Sequence, residues 1–438
     1  MNVDQVNEAL LEGNLELPGL FPRLEALDNA GAIFELEMGL DHLPTEPGIL
    51  LLRGARQYGK STWMESQLRG TVREYGRGSA LLLDGDHLRD ADHLTSEISR
   101  LSSAFARDAP VRRLFIDEIT AVADWERGLK RVLDRGELRR VLVVTTGSRA
   151  TDLRHGAERL PGRKGKLART TFLFLPIPYA EFLRAGGHTL GARALDSYVL
   201  SGGSPAACSE LIRTGHLPAW IVESVRDWIL GECARAGRSR GSLVSVMQQL
   251  HRHGGAPVGQ TKLAKEAGLA NNTVAAGWVE MLADLLCVGT SAAWDGSKRA
   301  EISRKPAKFP FLNTLAAGAW APDAPRSADD FSRLPPARQG IWAEWVVAQE
   351  LFRRAAIRGE PAPERLPHWQ SKEHEIDFVT GNDAFVEVKR GRASALELAW
   401  FTKIFPRGKL TVVCSTPFVT DHIEGVTLET FLTLASDG

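Results

Sequence analysis

The amino-acid sequence predicts an α/β fold built on a parallel sheet that helices cover on both faces. Two observations support this class. Five nearly continuous apolar runs alternate with helical segments, and the first run leads directly into a glycine-rich loop. The predicted strands lie at 48–53, 80–84, 112–118, 141–148 and 171–175. Because ligands of such sheets bind beyond the carboxyl ends of the strands, we expect functional side chains to gather there.

The loop after the first strand matches the phosphate-binding pattern G-x-x-x-x-G-K-[ST]. Its residues are Gly54, Ala55, Arg56, Gln57, Tyr58, Gly59, Lys60 and Ser61, and Thr62 follows in a predicted helix. In this pattern backbone N–H groups point at phosphate oxygens, the lysine reaches the β- and γ-phosphates, and the serine hydroxyl ligates Mg²⁺. A plain glycine turn is the alternative, but the flanking strand and helix favour a nucleotide site. We therefore predict ATP and Mg²⁺ as cofactors of residues 54–62.

The third predicted strand ends in two carboxylates, Asp117 and Glu118. We expect Asp117 to hold the Mg²⁺ shell and Glu118 to polarise the attacking water. The alternative for an isolated Asp-Glu pair is a solvated acidic turn. The fourth strand becomes polar at its end, where Thr146 or Ser148 is placed to sense the γ-phosphate. A strand between the loop and the acidic strand, with Glu directly after Asp, resembles the AAA-like branch of P-loop ATPases.

The composition is that of a soluble globular protein. The 438 residues are 43% hydrophobic and 25% charged, and the length predicts roughly two to four domains. No run approaches the roughly 18 apolar residues of a membrane span, and the polar N-terminus does not resemble a signal peptide. The cysteines are far apart in sequence, which favours buried thiols in a reducing cytoplasm over disulfides or a zinc site. They are Cys208, Cys233, Cys287 and Cys414.

The charge distribution is neutral overall but uneven along the chain. A formal net charge of zero argues against a protein that coats nucleic acid over its whole surface. Basic residues nevertheless cluster at 163–169, 235–240 and 298–308. Such clusters are compatible with confined phosphate-binding surfaces, with a solvated face as the alternative for any one of them. In the third cluster we predict DNA contacts from Lys298, Arg299, Arg304 and Lys305.

Residues 260–283 predict two short helices joined by a turn, after a helical region that extends to about residue 250. Asn271 or Asn272 is a natural N-cap of the second helix. This arrangement is a helix-turn-helix, and residues 285–294 are expected to form its wing. In the DNA-binding version Asn272 and Thr273 enter the major groove at the start of the second helix. Docking of another protein is the alternative, and the basic cluster that follows favours DNA.

The C-terminal region carries a second group of candidate site residues. Residues 375–379 and 385–389 alternate between apolar and polar, and a hairpin centred on Asn382 would set Asp377 opposite Glu387. Carboxylates that face each other repel unless a cation lies between them, so we predict a Mg²⁺ or Mn²⁺ site. Glu344 on a preceding helix would complete the shell, and Lys389 would support the attacking water. Asp377 on one strand, followed by Glu387-x-Lys389 on the next, is the PD-(D/E)xK pattern of nucleases. The alternative is an exposed strand with a salt-bridged face.

With these parts in order, the chain resembles a large prokaryotic ATPase family from about residue 48 to residue 415. Its members carry an AAA-type domain, a winged helix and a C-terminal domain of unknown function that looks like a PD-(D/E)xK nuclease fold. The matching positions are Gly54, Arg56, Gln57, Gly59–Ser61, Ile116–Glu118, Thr146–Ser148, Gly162–Arg163, Pro178–Phe182, Gly202–Pro205, Glu344, Glu375–Asp377 and Glu387–Lys389. The resemblance implies that Arg163 senses the nucleotide or acts on a neighbouring subunit, with a solvated loop arginine as the alternative. The chain departs from the family at Asn313, where an acidic residue is usual.

We therefore expect an AAA-type ATPase domain at 1–185, a helical lid at 186–250, a winged helix and basic linker at 251–325, and a nuclease-like α/β domain at 326–438. Motifs and resemblance together imply a cytoplasmic, Mg²⁺-dependent ATP hydrolase that acts as a ring, a hexamer by expectation, on duplex or branched DNA such as forks and Holliday junctions. The C-terminal domain would cleave DNA or recognise its shape. The rival hypothesis is a nucleotide-dependent switch that regulates a partner protein, with an inert nuclease-like fold. No membrane contact is expected.

Overall fold

The structure is a computed structural model that describes residues 1–28, 30–147, 160, 162, 165–302, 304–381 and 383–434. The chain divides into two compact units, Met1–Leu175 and Pro176–Gly438. Each unit contains a five-stranded sheet within these described ranges. In the same ranges, no helix combines the length and the apolar character that crossing a lipid bilayer requires.

The first unit is built on a parallel sheet. Its strands are β1 (Gly48–Gly54), β2 (Ala80–Asp84), β3 (Arg113–Asp117), β4 (Leu142–Gly147) and β5 (Thr171–Phe174). Their order is β2-β3-β4-β1-β5, and each neighbouring pair is parallel. The helices described around it are α1 (Val3–Glu12), α2 (Pro22–Leu27), α3 (Lys60–Tyr75), α4 (Ala91–Ala104) and α5 (Trp125–Arg135). The predicted α/β class with a parallel sheet is confirmed.

The core of this unit explains why its strands are continuously apolar in sequence. Ile49 on β1, Leu114 on β3 and Val143 on β4 are fully buried and share one cluster with Leu94 of α4 and Leu129 of α5. Central strands of a parallel sheet are covered on both faces, so successive side chains are buried whichever way they point. Polar side chains are therefore left to the strand ends, where the site lies.

Helix α1 protects the edge of the sheet. The side-chain amide of Asn7 donates to the carbonyl oxygen of Leu82 (2.8 Å), and its carbonyl oxygen accepts from the Leu82 N–H (2.7 Å). Asn7 thus supplies both hydrogen bonds that a further strand would have made to Leu82. The backbone at the middle of this edge strand is then no longer open to another chain.

The second unit is mostly helical. Its described helices are α6 (Tyr179–Arg184), α7 (Ala194–Ser201), α8 (Pro205–Thr214), α9 (Ala219–Arg235), α10 (Arg240–Arg252), α11 (Gln260–Glu266), α12 (Asn272–Asp284), α13 (Thr314–Trp320), α14 (Ala328–Ser332), α15 (Pro336–Ile357), α16 (Trp400–Ile404) and α17 (Leu428–Thr433). The strands are β6 (Trp294–Asp295), β7 (Ala300–Glu301), β8 (Trp369–Gln370), β9 (Glu375–Ile376), β10 (Phe378–Val379), β11 (Ala384–Val388), β12 (Lys409–Val413), β13 (Phe418–Val419) and β14 (Ile423–Val426).

The predicted pair of short helices is present as α11 and α12. The Asn271 side chain caps α12 by accepting from the Val274 N–H at 2.9 Å, as one of the two predicted caps. The hairpin after α12 differs in position from the predicted wing, because β6 pairs with β7 and places the turn at residues 296–299. Trp294 of β6 is buried in one apolar cluster with Phe385 and Phe401. The hairpin is therefore anchored by aromatic packing.

A mixed sheet forms the end of the second unit, in the order β10-β11-β12-β14-β13. Strands β10 and β11 are antiparallel, with Phe378 opposite Val386 and Val379 opposite Phe385. Extended by one residue, this register sets Asp377 opposite Glu387, so the predicted pairing of the two is confirmed. Asn382, the predicted centre of the hairpin, lies outside the described residues.

Candidate nucleotide site and carboxylate cluster

The phosphate-binding loop turns sharply between β1 and α3. Gln57 and Gly59 have positive φ values, 65° and 83°, and Gly59 is the N-cap of α3. Gly54 is required for a different reason, since a Cβ at this position would lie 2.5 Å from the Cβ of Phe174 on β5. The second glycine of the motif thus permits the turn into the helix, and the first permits close strand packing.

The side chains of the loop point in different directions. Ala55 and Tyr58 are buried, Arg56 and Gln57 are exposed, and Ser61 and Thr62 are half-buried. A loop of this shape at the start of a helix presents backbone N–H groups and the positive end of the helix dipole to an anion.

Lys60 is buried at the first turn of α3. Its ammonium group donates to the carbonyl oxygens of Gly54 (3.0 Å) and Ala55 (2.9 Å). Burial lowers the pKa of Lys60, and the carboxylates of Glu118 and Asp117 oppose that shift. The lysine is held within its own loop by neutral backbone dipoles, at the place where the motif requires a cation for phosphate.

Asp117, Glu118 and Thr146 form one hydrogen-bonded network at the carboxyl ends of β3 and β4. The Thr146 hydroxyl donates to Oδ1 of Asp117, and the Glu118 N–H donates to the same oxygen (3.1 Å) and to the Thr146 hydroxyl (3.2 Å). Glu118 has a φ of 48°, in the left-handed region that residues other than glycine rarely adopt. A Cβ at Gly85 would lie 2.3 Å from the Glu118 carbonyl oxygen, so glycine is needed there. Backbone strain at a strand end is typical of functional positions.

A cavity of about 400 Å³ opens beside this network and is lined by Ser61 and Asp117 together with Asp84 and His87. Ser61 and Asp117 offer a hydroxyl and a carboxylate oxygen, which are hard ligands of the kind that Mg²⁺ prefers, so the residues present fit that ion. Asp84, at the end of β2, pairs in register with Asp117. Nδ1 of His87 lies 3.0 Å from Oδ2 of Asp84. The sequence analysis did not assign Asp84 or His87 to the site. The position of Asp84 at the end of a parallel strand was the signal that could have identified it.

Two predicted residues of the nucleotide site, Ser148 and Arg163, lie outside the described residues. Thr146, the other candidate sensor, contacts Asp117 as stated above. Arg169, which belongs to the same basic cluster as Arg163, stacks its guanidinium 4.4 Å from the ring centre of Phe172. Asn313, where the chain departs from the family that its sequence resembles, caps α13 by accepting from the Ala316 N–H at 3.0 Å. Aspartate caps helices equally well, so the position has a structural explanation.

The predicted DNA contacts lie on exposed surface of the second unit. Asn272 and Thr273 are exposed in the first turn of α12, and Lys298, Arg299, Arg304 and Lys305 are exposed as well. Arg299 pairs with Asp383 at 2.9 Å. Lys308 ends the same basic cluster in sequence but is only 2% exposed, so it belongs to a different environment.

The C-terminal candidate residues converge on one carboxylate cluster, formed by the largely buried Glu344, Asp377 and Glu387 and the partly exposed Glu375. Oε2 of Glu387 accepts from the Asp377 N–H (3.1 Å), and Oδ2 of Asp377 accepts from the Val388 N–H (2.9 Å). Lys389 lies 2.5 Å from Oε1 of Glu387. The strand pairing therefore brings two of the predicted metal ligands, Asp377 and Glu387, together.

Lys308 lies inside the carboxylate cluster, which the sequence analysis did not anticipate. Its ammonium nitrogen is 2.8 Å from Asp377 and 3.7 Å from Glu344, and it also pairs with Glu375. Burial alone would lower the pKa of Lys308, but the surrounding carboxylates outweigh it and raise the pKa above its usual value. Lys308 is therefore a cation among carboxylates.

Two of the carboxylates, Glu344 and Glu387, are destabilised in their charged form. Burial and the neighbouring Asp377 raise the pKa of Glu344 to about 8 and that of Glu387 to about 7. Within the described ranges, no group of three or more His, Cys, Asp or Glu side chains is arranged to hold a metal ion. The oxygen donors suit Mg²⁺ or Mn²⁺ chemically, but with the Lys308 ammonium among them the cluster does not fit a divalent ion.

Comparison with known proteins assigns the first unit. Residues 46–183 match the AAA_14 family, described as an AAA domain. With the five-stranded parallel sheet and the phosphate-binding loop, this match shows that the chain contains an AAA-type P-loop ATPase domain. No curated protein matches the sequence.

Solved structures resemble the chain only distantly. The Walker-type ATPase paby2304 of Pyrococcus abyssi has a TM-score of 0.41 at 15% identity, over 68% of this chain and 94% of that one. A RuvB variant of Thermotoga maritima has a TM-score of 0.31 at 16% identity, over 56% and 82%. The ORC2 protein of Aeropyrum pernix has a TM-score of 0.36 at 10% identity, over 72% and 91%. At these values none of the three bears on function.

Proposed function

We propose that the protein is a Mg²⁺-dependent ATP hydrolase that acts on duplex or branched DNA, including forks and Holliday junctions, as a ring of subunits, with six as our expectation. The observation that carries the catalytic part is the network of Asp117, Glu118 and Thr146 facing the loop that holds Lys60. A phosphate-binding loop without an adjacent carboxylate would support binding alone. Here a carboxylate, Asp117, lies at the carboxyl end of β3, which only β4 separates from the strand that leads into the loop.

Each residue of this site has a distinct role. Lys60 would bind the β- and γ-phosphates with its charge, and Ser61 and Asp117 would hold Mg²⁺, which neutralises charge on the phosphates when bound. Glu118 would orient the attacking water and accept its proton. Thr146 positions Asp117 through its hydroxyl, since the bond between them fixes the Asp117 carboxylate.

The ring is proposed because AAA-type sites need an arginine that stabilises negative charge in the transition state. Arg163 would supply it to a neighbouring subunit, for which the family resemblance is the support. Subunits carrying Arg163→Ala mixed with subunits carrying Lys60→Ala should then regain part of the ATPase activity, because some interfaces combine an intact loop with an intact arginine. No recovery at any mixing ratio would assign Arg163 a role within its own subunit or none.

Action on DNA is proposed from the exposed polar and basic surface of the second unit. Asn271 caps α12 and leaves Asn272 and Thr273 exposed at the helix start, which is the end that enters a major groove in helix-turn-helix proteins. The exposed basic residues Lys298 to Lys305 would contact phosphates. The C-terminal domain would then contribute by recognising the shape of DNA, whereas cleavage would require a divalent ion.

The decisive experiment measures the ATPase rate with linear duplex, single-stranded, forked and four-way-junction DNA. We expect stimulation by at least one of these substrates in the wild type and no turnover in Lys60→Ala. A variant with Lys298, Arg299, Arg304 and Lys305 changed to Gln should keep its basal rate and lose the stimulation. As a matched control, the exposed Arg77, Arg107, Arg139 and Arg140 of the first unit are changed to Gln. A rate indifferent to DNA, with a stable protein partner on purification, would favour a nucleotide-dependent switch instead.

A further inference from the structure

The carboxylate cluster of the second unit contains a cation of its own. Lys308 is 2% exposed and reaches Asp377, Glu344 and Glu375. Two of these three, Asp377 and Glu344, are residues that the sequence pattern assigns to a divalent metal ion. The third predicted ligand, Glu387, pairs with Lys389 at 2.5 Å. Each predicted metal ligand of this cluster thus has a lysine within ion-pair distance.

We infer that the Lys308 ammonium group is the resident cation of this cluster and takes the place of a divalent metal ion. The second unit would then keep the carboxylate geometry of a nuclease-like site without binding the metal that such a site needs for cleavage. The inference refines the proposed function, because it assigns the C-terminal domain to recognition of DNA and not to cleavage. It does not depend on ATP hydrolysis, since the cluster and the phosphate-binding loop belong to different units.

The backbone holds Lys308 in place. Its N–H donates to the Ser291 carbonyl oxygen at 2.9 Å, and its own carbonyl oxygen accepts from the Ser291 N–H at 2.8 Å. Ser291 is in turn buried against His368, whose Nδ1 lies 3.0 Å from the Ser291 carbonyl oxygen. The lysine therefore enters the cluster from a paired backbone segment, and its position does not depend on a flexible surface loop.

The oxygens around Lys308 are also oriented by the protein. One oxygen of Asp377 accepts from the ammonium at 2.8 Å and the other from the Val388 N–H at 2.9 Å. Oε2 of Glu387 accepts from the Asp377 N–H at 3.1 Å. A divalent ion would need these oxygens at about 2.0–2.6 Å, and it would be repelled by the ammonium beside it. Binding of a metal ion at this place thus requires the lysine to leave.

Removal of the lysine charge should therefore create a metal site. Without Lys308 the largely buried Asp377 and Glu344 and the partly exposed Glu375 would lose their shared counter-ion, and buried carboxylates in that condition need a cation or protons. Methionine preserves most of the length of the side chain and removes the charge. Arginine at the same position keeps the charge and serves as the conservative variant.

The experiment measures Mn²⁺ binding to the nucleotide-free full chain by electron paramagnetic resonance, which counts free Mn²⁺. We expect the wild type and Asp377→Asn to bind the same number of Mn²⁺ ions. Lys308→Met should bind one more per chain, and Lys308→Met combined with Asp377→Asn should lose it again. Lys308→Arg should behave as the wild type, and so should Lys298→Met, which removes an exposed lysine of the same basic cluster.

Two results would overturn the inference. If Asp377→Asn binds one Mn²⁺ fewer than the wild type, the cluster holds a metal ion while Lys308 is present. If folded Lys308→Met gains no ion, the lysine fills space but does not replace a cation. Should Lys308→Met fail to fold, the comparison of wild type with Asp377→Asn still decides. Failure of ATP hydrolysis or of DNA stimulation would refute the proposed function and leave these Mn²⁺ counts unaffected.

Discussion

Lys60 and Lys308 are both buried lysines close to acidic side chains, but their immediate partners differ. They are 6% and 2% exposed. The Lys60 ammonium donates to two backbone carbonyl oxygens of its own loop. The Lys308 ammonium instead forms ion pairs with Glu344, Glu375 and Asp377. One lysine is held by neutral dipoles and the other by opposite charges.

The pKa values of the two lysines follow from this difference. Burial lowers the pKa of Lys60, whereas carboxylates overcome burial and raise the pKa of Lys308. A buried cation that has only dipoles as partners gains free energy when an anion arrives, as a triphosphate would at the loop. A cation that is already surrounded by carboxylates gains little from a further anion and excludes other cations. The same pair of residue types, lysine and carboxylate, thus prepares one site for an anion and closes the other to a metal.

The largest expected effect is on catalysis at the first site. Glu118→Gln should lower the ATP hydrolysis rate by about 10² or more and leave nucleotide binding intact, because the amide can still fill the space but cannot accept the proton of water. The measurement combines steady-state turnover with equilibrium binding of a fluorescent ATP analogue. Glu137→Gln, in the same unit but outside the network, is the control. Turnover at the wild-type rate in Glu118→Gln would place the general base elsewhere.

The comparison of the two lysines can be tested directly through stability. Lys308→Met should lower the free energy of unfolding of the second unit by about 3–5 kcal/mol, because it leaves buried carboxylates without their counter-ion. Lys60→Met should cause no comparable loss, since the carbonyl groups released are those of a loop and the buried charge disappears with the side chain. Urea denaturation of the nucleotide-free proteins measures both. Equal losses for the two variants would contradict the distinction between dipole and charge partners.

The two lysines also differ in whether their environment could be predicted from the sequence. The apolar runs predicted the parallel sheet, and the position of Asp117 at the end of a strand predicted its place beside the loop. Two alternating strands joined by a turn centred on Asn382 predicted that Asp377 lies opposite Glu387. Lys308 could not be assigned in this way, because it lies 69 residues before Asp377 in a segment that joins the cluster only through its pairing with Ser291. In sequence Lys308 only ends the third basic cluster, where DNA contacts are predicted for other residues, and its burial in the folded chain places it among the carboxylates.

A smaller effect should appear in the pH dependence of stability. The pKa of Glu344 is raised to about 8 from an ordinary value of 4.5, so its protonated form favours the folded state. The stabilisation that Glu344 gives to the folded state is complete below about pH 4.5 and is lost as pH rises through about 8. Between pH 6.5 and 8 we expect the wild type to lose on the order of 1–2 kcal/mol of unfolding free energy that Glu344→Gln retains.

The pH window is chosen because of His251. Burial lowers the pKa of His251 to about 4, which makes stability fall as pH decreases from about 6.5 to 4 and would mask the opposite trend of Glu344. Urea unfolding of the wild type and Glu344→Gln at pH 6.5, 7.2 and 8 isolates the carboxyl group. Parallel pH profiles for the two proteins would show that Glu344 stays ionised in the folded state, as in a complete salt bridge with Lys308.

The smallest expected effect separates two neighbouring cations on the proposed DNA surface, Lys298 and Arg299. Arg299 already pairs with Asp383 at 2.9 Å, whereas Lys298 is exposed in the same turn. A cation that has a carboxylate partner releases fewer counter-ions when it meets a phosphate. Lys298→Gln should therefore flatten the plot of log affinity against log salt by about 0.9, and Arg299→Gln by less. Fluorescence anisotropy with a labelled duplex from about 50 to 200 mM salt measures both slopes.

Asp383→Asn should bring the effect of Arg299→Gln up to that of Lys298→Gln, because the arginine then meets the phosphate without a competing carboxylate. If Arg299→Gln flattens the slope more than Lys298→Gln does in the wild-type background, DNA displaces Asp383 from Arg299. A carboxylate partner at this exposed turn would then still allow the cation to bind phosphate, unlike the carboxylates around Lys308.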